Sequence, residues 1–320
     1  MSYSAFGLSL AADWPIPGLL PHEVLSPPDV SVQLESPLVE RDVADEEPYY
    51  AADPDSAGTP ALQVWKTDSH YRLKYADGTQ FILDRNGRHV RVIVAAGSTL
   101  EDAATYLLGP VIGFAMRLRG TTCLHASVVV LDGEAVAIAG PAGAGKSTTA
   151  ACFSVMGHAV LSDDIAALAE RDGTIHVEPA FPQIRLWPDS VAMLYGTPDA
   201  LPPLTPNWDK RALPLSQPRA FHQKSVPLGA VYVLGEERAG TEPAIEPVSG
   251  SARMLALLAN TYVGYLLDRS RRQEEFDALA RVASIVEVRR VIRPAAPVLP
   301  ALICQSILDD CRRRRRAVMT

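Results

Sequence analysis

A chain of 320 residues with 48% hydrophobic content carries enough apolar material for one large or two modest folded domains, which excludes a disordered chain. The formal net charge of -7 removes any bulk pull toward nucleic acid or an anionic membrane, so nucleic acid is not expected as a partner. The best apolar run, Leu107 to Met116, is too short to cross a bilayer and contains Pro110 and Gly113, so no transmembrane segment is expected. The start of the chain has no basic segment followed by a long apolar run, and Cys123, Cys152, Cys304 and Cys311 form no CxxC pair or zinc spacing. A cytoplasmic protein with reduced cysteines is the expectation.

From Met1 to about Pro60 the chain is rich in proline, aspartate and alanine, with a β-like start, a weak alternation at Val30 to Leu34 and an acidic run from Glu40 to Glu47. That run reads as solvated surface, because no histidine accompanies it. From Ala61 onward QVWKTD, YRLKYADGTQFILD and HVRVIVAAG are strand-like, the middle pair joined through an Asp77-Gly78 turn. Residues 1–100 are therefore expected to form a small β-rich domain.

Leu100 to Arg119 reads as a helix with Glu101 and Asp102 in its first turn, kinked or split by Pro110, and stopped by Gly120. TTCLHASVVVLDGEAVAIAG then gives two strands through an Asp132-Gly133 turn, with His125 near the start of the first. The second strand, Glu134 to Ala139, leads into GPAGAGKST, and Thr148 to Met156 is expected to be helical.

Gly140 to Thr148 fits GxxxxGK[ST] at every fixed position. In the run Gly140, Pro141, Ala142, Gly143, Ala144 and Gly145, three glycines and two small alanines let backbone N–H groups turn inward around phosphates. Lys146 then reaches the outer phosphates, Ser147 offers a hydroxyl to Mg²⁺, and Thr148 opens the helix whose N-terminus faces the anion. ATP with Mg²⁺ is the expected cofactor pair.

After Gly157 comes HAVLSDDIAAL, a strand, an acidic turn and a strand. Asp163 and Asp164 at a strand end suit a phosphate-loop enzyme: one carboxylate beside Mg²⁺ and one to take the proton from an attacking hydroxyl. Adjacent side chains of an extended segment point to opposite sides, so the two can divide those tasks; an ordinary solvated turn is the other reading. Asp172-Gly173 marks a further hairpin, and Arg185 and Trp187 precede a short helix, with Arg185 open to either a phosphate or a packing role.

Tyr195 to Ser225, with Lys210 and Arg211, is expected to be a long loop, either closing over a substrate or uninvolved. Val226 to Leu234 is a strand, Ala252 to Leu267 and Glu274 to Ala283 are helices, Ile285 to Ile292 is a strand and Val298 to Leu308 a last helix. Arg312 to Arg316 reads as a frayed, solvated tail.

Arg119-Gly120 with LHAS at Leu124 to Ser127, the phosphate loop, and GHAVLSDD at Gly157 to Asp164 stand in one order. That arrangement resembles the catalytic domain of bacterial HPr kinase/phosphorylase and, more closely, the shorter HPr-kinase-like proteins, some of which modify a serine of a ribosomally made peptide such as a lasso-peptide precursor. The resemblance covers about Leu100 to Ala180. It implies that His125 orients or polarises the reacting groups, that Lys146 and Ser147 carry the phosphates and Mg²⁺, and that Asp163 is the general base with Asp164 on the metal side. Thr148 departs from the glutamate of the true HPr kinases, and their glycine- and asparagine-containing signature has no clear counterpart between Ala180 and Gly240, which points away from HPr itself as acceptor.

The expected architecture is α/β: a phosphate-loop kinase domain of HPr-kinase-like type with a mixed sheet at residues 101–311, preceded by the small β-rich domain and followed by a basic tail at 312–320. The expected activity is transfer of the γ-phosphate of ATP to a serine or threonine hydroxyl of a peptide or protein, with Asp163, His125 and Lys146 carrying the chemistry. A small-molecule kinase on the same scaffold and a nucleotide-binding regulator with little transfer stay open, as does assembly into a homo-oligomer.

Overall fold

In a computed structural model of the chain, residues 1–22, 27–35, 47–54, 58–240, 242–294 and 299–318 are described, with 317 and 318 by backbone alone. The acidic run lies outside these residues except for Glu47.

Eight strands come first: β1 (Ser2–Ala5), β2 (Leu8–Ala12), β3 (Val30–Glu35), β4 (Tyr50–Ala51), β5 (Leu62–Lys66), β6 (His70–Tyr75), β7 (Gln80–Asp84) and β8 (His89–Ile93). They form one sheet in the order β1-β2-β3-β8-β7-β6-β5-β4. Alternation sets the buried face: Tyr71, Leu73 and Tyr75 of β6 point inward, with Arg72 and Lys74 between them. Val30, Leu73 and Phe81 share a core with Phe114, Met116 and Ile165, so the apolar face of this sheet is closed by residues from further along the chain.

The predicted helix at Leu100 to Arg119 is present in three pieces. α1 (Leu100–Tyr106) starts on a capping box in which Thr99 and Asp102 satisfy each other's backbone N–H groups. Pro110 lacks an N–H and forces a π-helical turn over Leu107–Val111, after which α2 (Ile112–Leu118) resumes.

β9 (Thr122–Leu131) and β10 (Glu134–Ala139) follow, then α3 (Lys146–Val155), β11 (Ala159–Ser162), β12 (Ile165–Arg171), β13 (Thr174–Val177), β14 (Gln183–Leu186) and α4 (Pro188–Tyr195). β15 (Pro203–Thr205), β16 (Trp208–Pro214), β17 (Val226–Arg238), β18 (Ala244–Val248), α5 (Gly250–Leu258), α6 (Arg269–Ile285), β19 (Glu287–Pro294) and α7 (Pro300–Val318) complete the chain. The second sheet runs β10-β9-β12-β13-β17-β19-β18, with β11 on β9 and a further β10–β17 pairing. β10 lies parallel to β17 and β17 parallel to β19, while β9 pairs antiparallel with β10, β11 and β12. The expected α/β class with a mixed sheet is therefore what the chain adopts. Asp132-Gly133 and Asp172-Gly173 turn two hairpins with both residues left-handed, as a two-residue turn of that type requires.

Three expectations fail. Residues 195–225 are not all loop: β15 and β16 form a three-stranded sheet with β14, in which Leu213 sits opposite Ile184. β15 has only three residues and β16 (WDKRALP) little apolar alternation, so neither signals itself; both are held from outside, where the Asn207 amide donates to Asp102 at 2.7 Å. The helix expected through Leu267 stops at Leu258, because the Asn260 carbonyl and the Tyr262 N–H turn aside to pair with His125 and Cys123 of β9. Arg312 to Arg316 are not a frayed tail but the last turns of α7. Arg314 donates to Glu287 and to the Gly229 carbonyl, and Arg315 to the Leu131 carbonyl, pinning α7 to three strand ends. At about 3.6 residues per turn, five consecutive arginines go right round the helix, onto both its docked and its open side.

All four cysteines are free and buried. Among the described residues, no helix is long and apolar enough to cross a membrane.

Candidate functional site

β10 ends at Ala139 and the chain turns sharply through Gly140 into a loop that α3 closes. Gly140 has φ +145, and a Cβ there would lie 2.7 Å from the Leu234 carbonyl oxygen, so only glycine fits between β10 and β17. α3 begins at Lys146 behind a left-handed Gly145 that offers no side-chain cap. The first-turn N–H groups of a helix need a partner, and here an anion is the natural one. Lys146 is 7% exposed, and its ammonium donates to the Gly140 and Pro141 carbonyls at 2.9 and 3.0 Å. Burial lowers its pKa from the ordinary value, with Asp164 and Asp163 opposing. Thr148 turns away from the loop, its hydroxyl 2.8 Å from that of Ser190 in α4.

The two aspartates sit between β11 and β12 in unlike surroundings. Asp163 is 7% exposed and both of its oxygens accept: Oδ1 from the Ser127 hydroxyl at 2.7 Å, Oδ2 from the Arg185 backbone N–H at 3.1 Å. Asp164 is more open and has a left-handed backbone, φ +70. It accepts from the Tyr262 hydroxyl at 3.2 Å and lies 3.4 Å from His125 Nε2. Burial lowers the His125 pKa, against the pull of Asp164, and raises that of Tyr262 well above its ordinary value. The phenol thus stays a donor. Tyr262 reaches this place because Gly113 of α2 leaves room for its ring: a Cβ there would meet the ring at 2.4 Å.

Two cavities flank the loop. One, of about 410 Å³, is lined by Gly143, Gly145, Thr148, Thr149, Glu237 and Arg293. The other, of about 460 Å³, has Ser147, Asp163, Asp164, Arg185 and Lys210 on its wall. Ser147 and the aspartates are hard oxygen donors facing one space, a set that fits Mg²⁺ held jointly with phosphate oxygens. No cluster of three or more His, Cys, Asp or Glu capable of holding a metal occurs among the described residues, so a cage built from protein alone is not what they offer.

His125, Lys146, Ser147 and the aspartate pair, chosen from sequence, are thus gathered at one site, Lys146 and His125 each close enough to feel both carboxylates. Sequence reasoning passed over Ser127 and Tyr262 as ligands of the aspartates. It left Lys210 in a loop, whereas alternation along β16 puts Lys210 and Trp208 on one face and on the same cavity wall. The ammonium of Lys210 stands 5.2 Å from the Trp187 ring centroid. Arg185 is held by a bond from Nη1 to the Thr105 carbonyl at 3.2 Å. For Ser127 the LHAS spacing, two residues after His125 on the same face of β9, carried a sequence signal; Tyr262 had none.

No protein-family model matches the chain, and no curated protein sequence matches it. Among solved structures it is similar to the Hpr(Ser) kinase/phosphatase from Coxiella burnetii, with 13% identity over 62% of this chain and 99% of that one, and a TM-score of 0.34. That likeness is too loose to bear on what this chain does.

Proposed function

We propose that the chain is an ATP-dependent kinase that transfers the γ-phosphate to a serine or threonine hydroxyl of a peptide or protein. One observation carries this: an uncapped helix N-terminus with its lysine opens onto the same space as a pair of carboxylates and a cavity on the far side large enough for an acceptor. A binding module needs the first feature and not the second.

In this reading residues Gly140 to Thr148 hold the phosphates, and the nucleoside half of ATP lies in the cavity beside Arg293. Mg²⁺, held by Ser147 and a neighbouring carboxylate, neutralises phosphate charge when bound. The acceptor oxygen forms a bond to the γ-phosphorus as the bond to the β-phosphate bridging oxygen breaks, ADP leaves, and the hydroxyl proton passes to a carboxylate. Lys146, Lys210 and Arg185 supply positive charge around the transferring group.

The family resemblance implied the base at Asp163 and the metal-side carboxylate at Asp164; the surroundings favour the reverse. A base must be reachable by the acceptor, and Asp164 is the more open carboxylate, aligned by Tyr262 and by a His125 kept neutral by burial. Asp163, with both oxygens engaged, is suited to hold a fixed position beside Ser147.

The test is incubation of the purified chain with γ-labelled ATP, Mg²⁺ and host extract, with Lys146→Ala and Asp164→Asn alongside. Label on a peptide or protein with wild type alone is the expected result. Nucleotide binding with no labelled acceptor points to a regulator, and label confined to metabolites to a small-molecule kinase.

A further inference from the structure

The cavity in front of the aspartates has a second wall that phosphate transfer does not call for. Leu62, Tyr75, Tyr106, Trp208, Tyr50 and Tyr265 line it, drawn from β4, β5 and β6 at one end of the first sheet, from α1, from β16 and from the turn before α6. The rings brace one another. Tyr75 stacks on Tyr106 with centroids 3.8 Å apart, Trp208 meets Tyr106 edge-on at 5.2 Å, and Tyr50 stacks on Tyr265 at 4.6 Å. These contacts hold the rings around the space instead of letting them collapse into it, so the cavity is preformed at a volume of about 460 Å³.

Two further observations say what enters. Tyr75 is 6% exposed, yet its hydroxyl has no hydrogen-bond partner among the described residues. A buried hydroxyl left unpaired destabilises the fold, and a ligand that brings a carbonyl oxygen would satisfy it. β4, which carries Tyr50, is the terminal strand of the first sheet among the described residues, so its outer backbone edge offers an extended peptide a place to pair. The cations of this cavity, Arg185 and Lys210, share it with Asp163 and Asp164, which leaves the ring-lined part without surplus charge for an anionic metabolite.

We propose that this cavity is the acceptor subsite and takes an extended peptide, with the serine or threonine at the aspartates and an adjacent aromatic or large apolar side chain among the rings. The proposal rests on the kinase reading above and specifies its acceptor. The first sheet, through Tyr50, Leu62 and Tyr75, then sets which serine is chosen.

The experiment is a peptide library with a fixed central serine and random neighbours, incubated with wild-type protein and γ-labelled ATP, followed by sequencing of the phosphorylated products. The best peptide is then assayed with Tyr75→Phe and with Ala76→Trp, which puts an indole on an exposed part of the same wall. A fluorescent ATP analogue reports nucleotide affinity in each variant. The expected products carry Phe, Tyr, Trp, Leu or Met next to the phosphoserine. Tyr75→Phe raises KM for the peptide by about tenfold with kcat little changed, and Ala76→Trp lowers kcat/KM by about tenfold or more, both with analogue affinity within about twofold of wild type. A purely structural Tyr75 would leave KM untouched. Products without apolar preference, or unaltered KM and kcat/KM in both variants, overturn the acceptor subsite while the kinase reading stands; label on metabolites in place of peptides overturns the subsite and the peptide acceptor of that reading together. Failure of the wild type to bind the analogue overturns both.

Discussion

Replacing each aspartate of the pair by asparagine separates their roles, because the two stand in different surroundings. Asp164→Asn is nearly isosteric at a partly open site, where the new amide still accepts from Tyr262, so stability should change by less than about 0.5 kcal/mol. It removes the proton acceptor. Loss of a general base costs roughly 10²–10⁴-fold in kcat, about 3–5 kcal/mol of transition-state stabilisation. Asp163→Asn acts elsewhere. Its single remaining oxygen can accept from the Arg185 N–H while the Ser127 hydroxyl turns to accept from the amide, so two charge-assisted bonds become neutral ones in a buried place. That costs about 1–2 kcal/mol in stability, a melting temperature lower by roughly 1.5–3 °C for a chain of this length. Single-turnover transfer with saturating nucleotide, read beside thermal melts of both variants, makes the comparison. Turnover retained in Asp164→Asn, together with an Asp163→Asn that melts like wild type and transfers nothing, would refute the reasoning and return the base to Asp163.

Gly140→Ala places a methyl 2.7 Å from the Leu234 carbonyl at a φ of +145, so we expect a loss of about 2–4 kcal/mol in stability and at least about tenfold in nucleotide affinity; wild-type behaviour in both would show that the loop tolerates a side chain there. Arg117 and Glu275 form an ion pair with side chains 3% and 7% exposed, and burial raises the Glu275 pKa against the pull of Arg117. Arg117→Met should cost about 3–5 kcal/mol by stranding the carboxylate, while Arg117→Met/Glu275→Leu recovers most of it; urea midpoints that leave the double variant no better than the single one contradict this. The depressed pKa of His125 has a pH signature: above about 6.5 both states hold the ring neutral and its contribution is fully present, and it is lost as pH falls from there through the folded value, because the unfolded chain takes the proton first. His125→Gln should flatten the difference between urea midpoints at pH near 7.5 and 5.5; an unchanged difference would assign that slope to other groups.

Local chemistry made much of this molecule legible in advance. GPAGAGKST between an apolar strand and a helix, the Asp-Gly hairpin turns and the alternating HYRLKY each act over a few residues, through backbone dihedral limits and side-chain periodicity, so their consequences can be read wherever they occur. The α/β class followed from the same signals, and the mixed sheet from the family resemblance. Other features were settled at a distance. β15 and β16 exist because β14 and Asp102 hold them, α5 ends early because residues 260–262 pair with β9, and an arginine run that reads as a solvated tail docks onto three strand ends. The site divides along the same line: sequence singled out His125, Lys146, Ser147 and the aspartates, but only tertiary packing tied Ser127, Arg185 and Tyr262 to those aspartates, and so decided which carboxylate is bound up and which is open. A residue's type and neighbours along the chain set what it can do, and the partners that select among those possibilities come from segments tens of residues away, whose meeting is a property of the whole core.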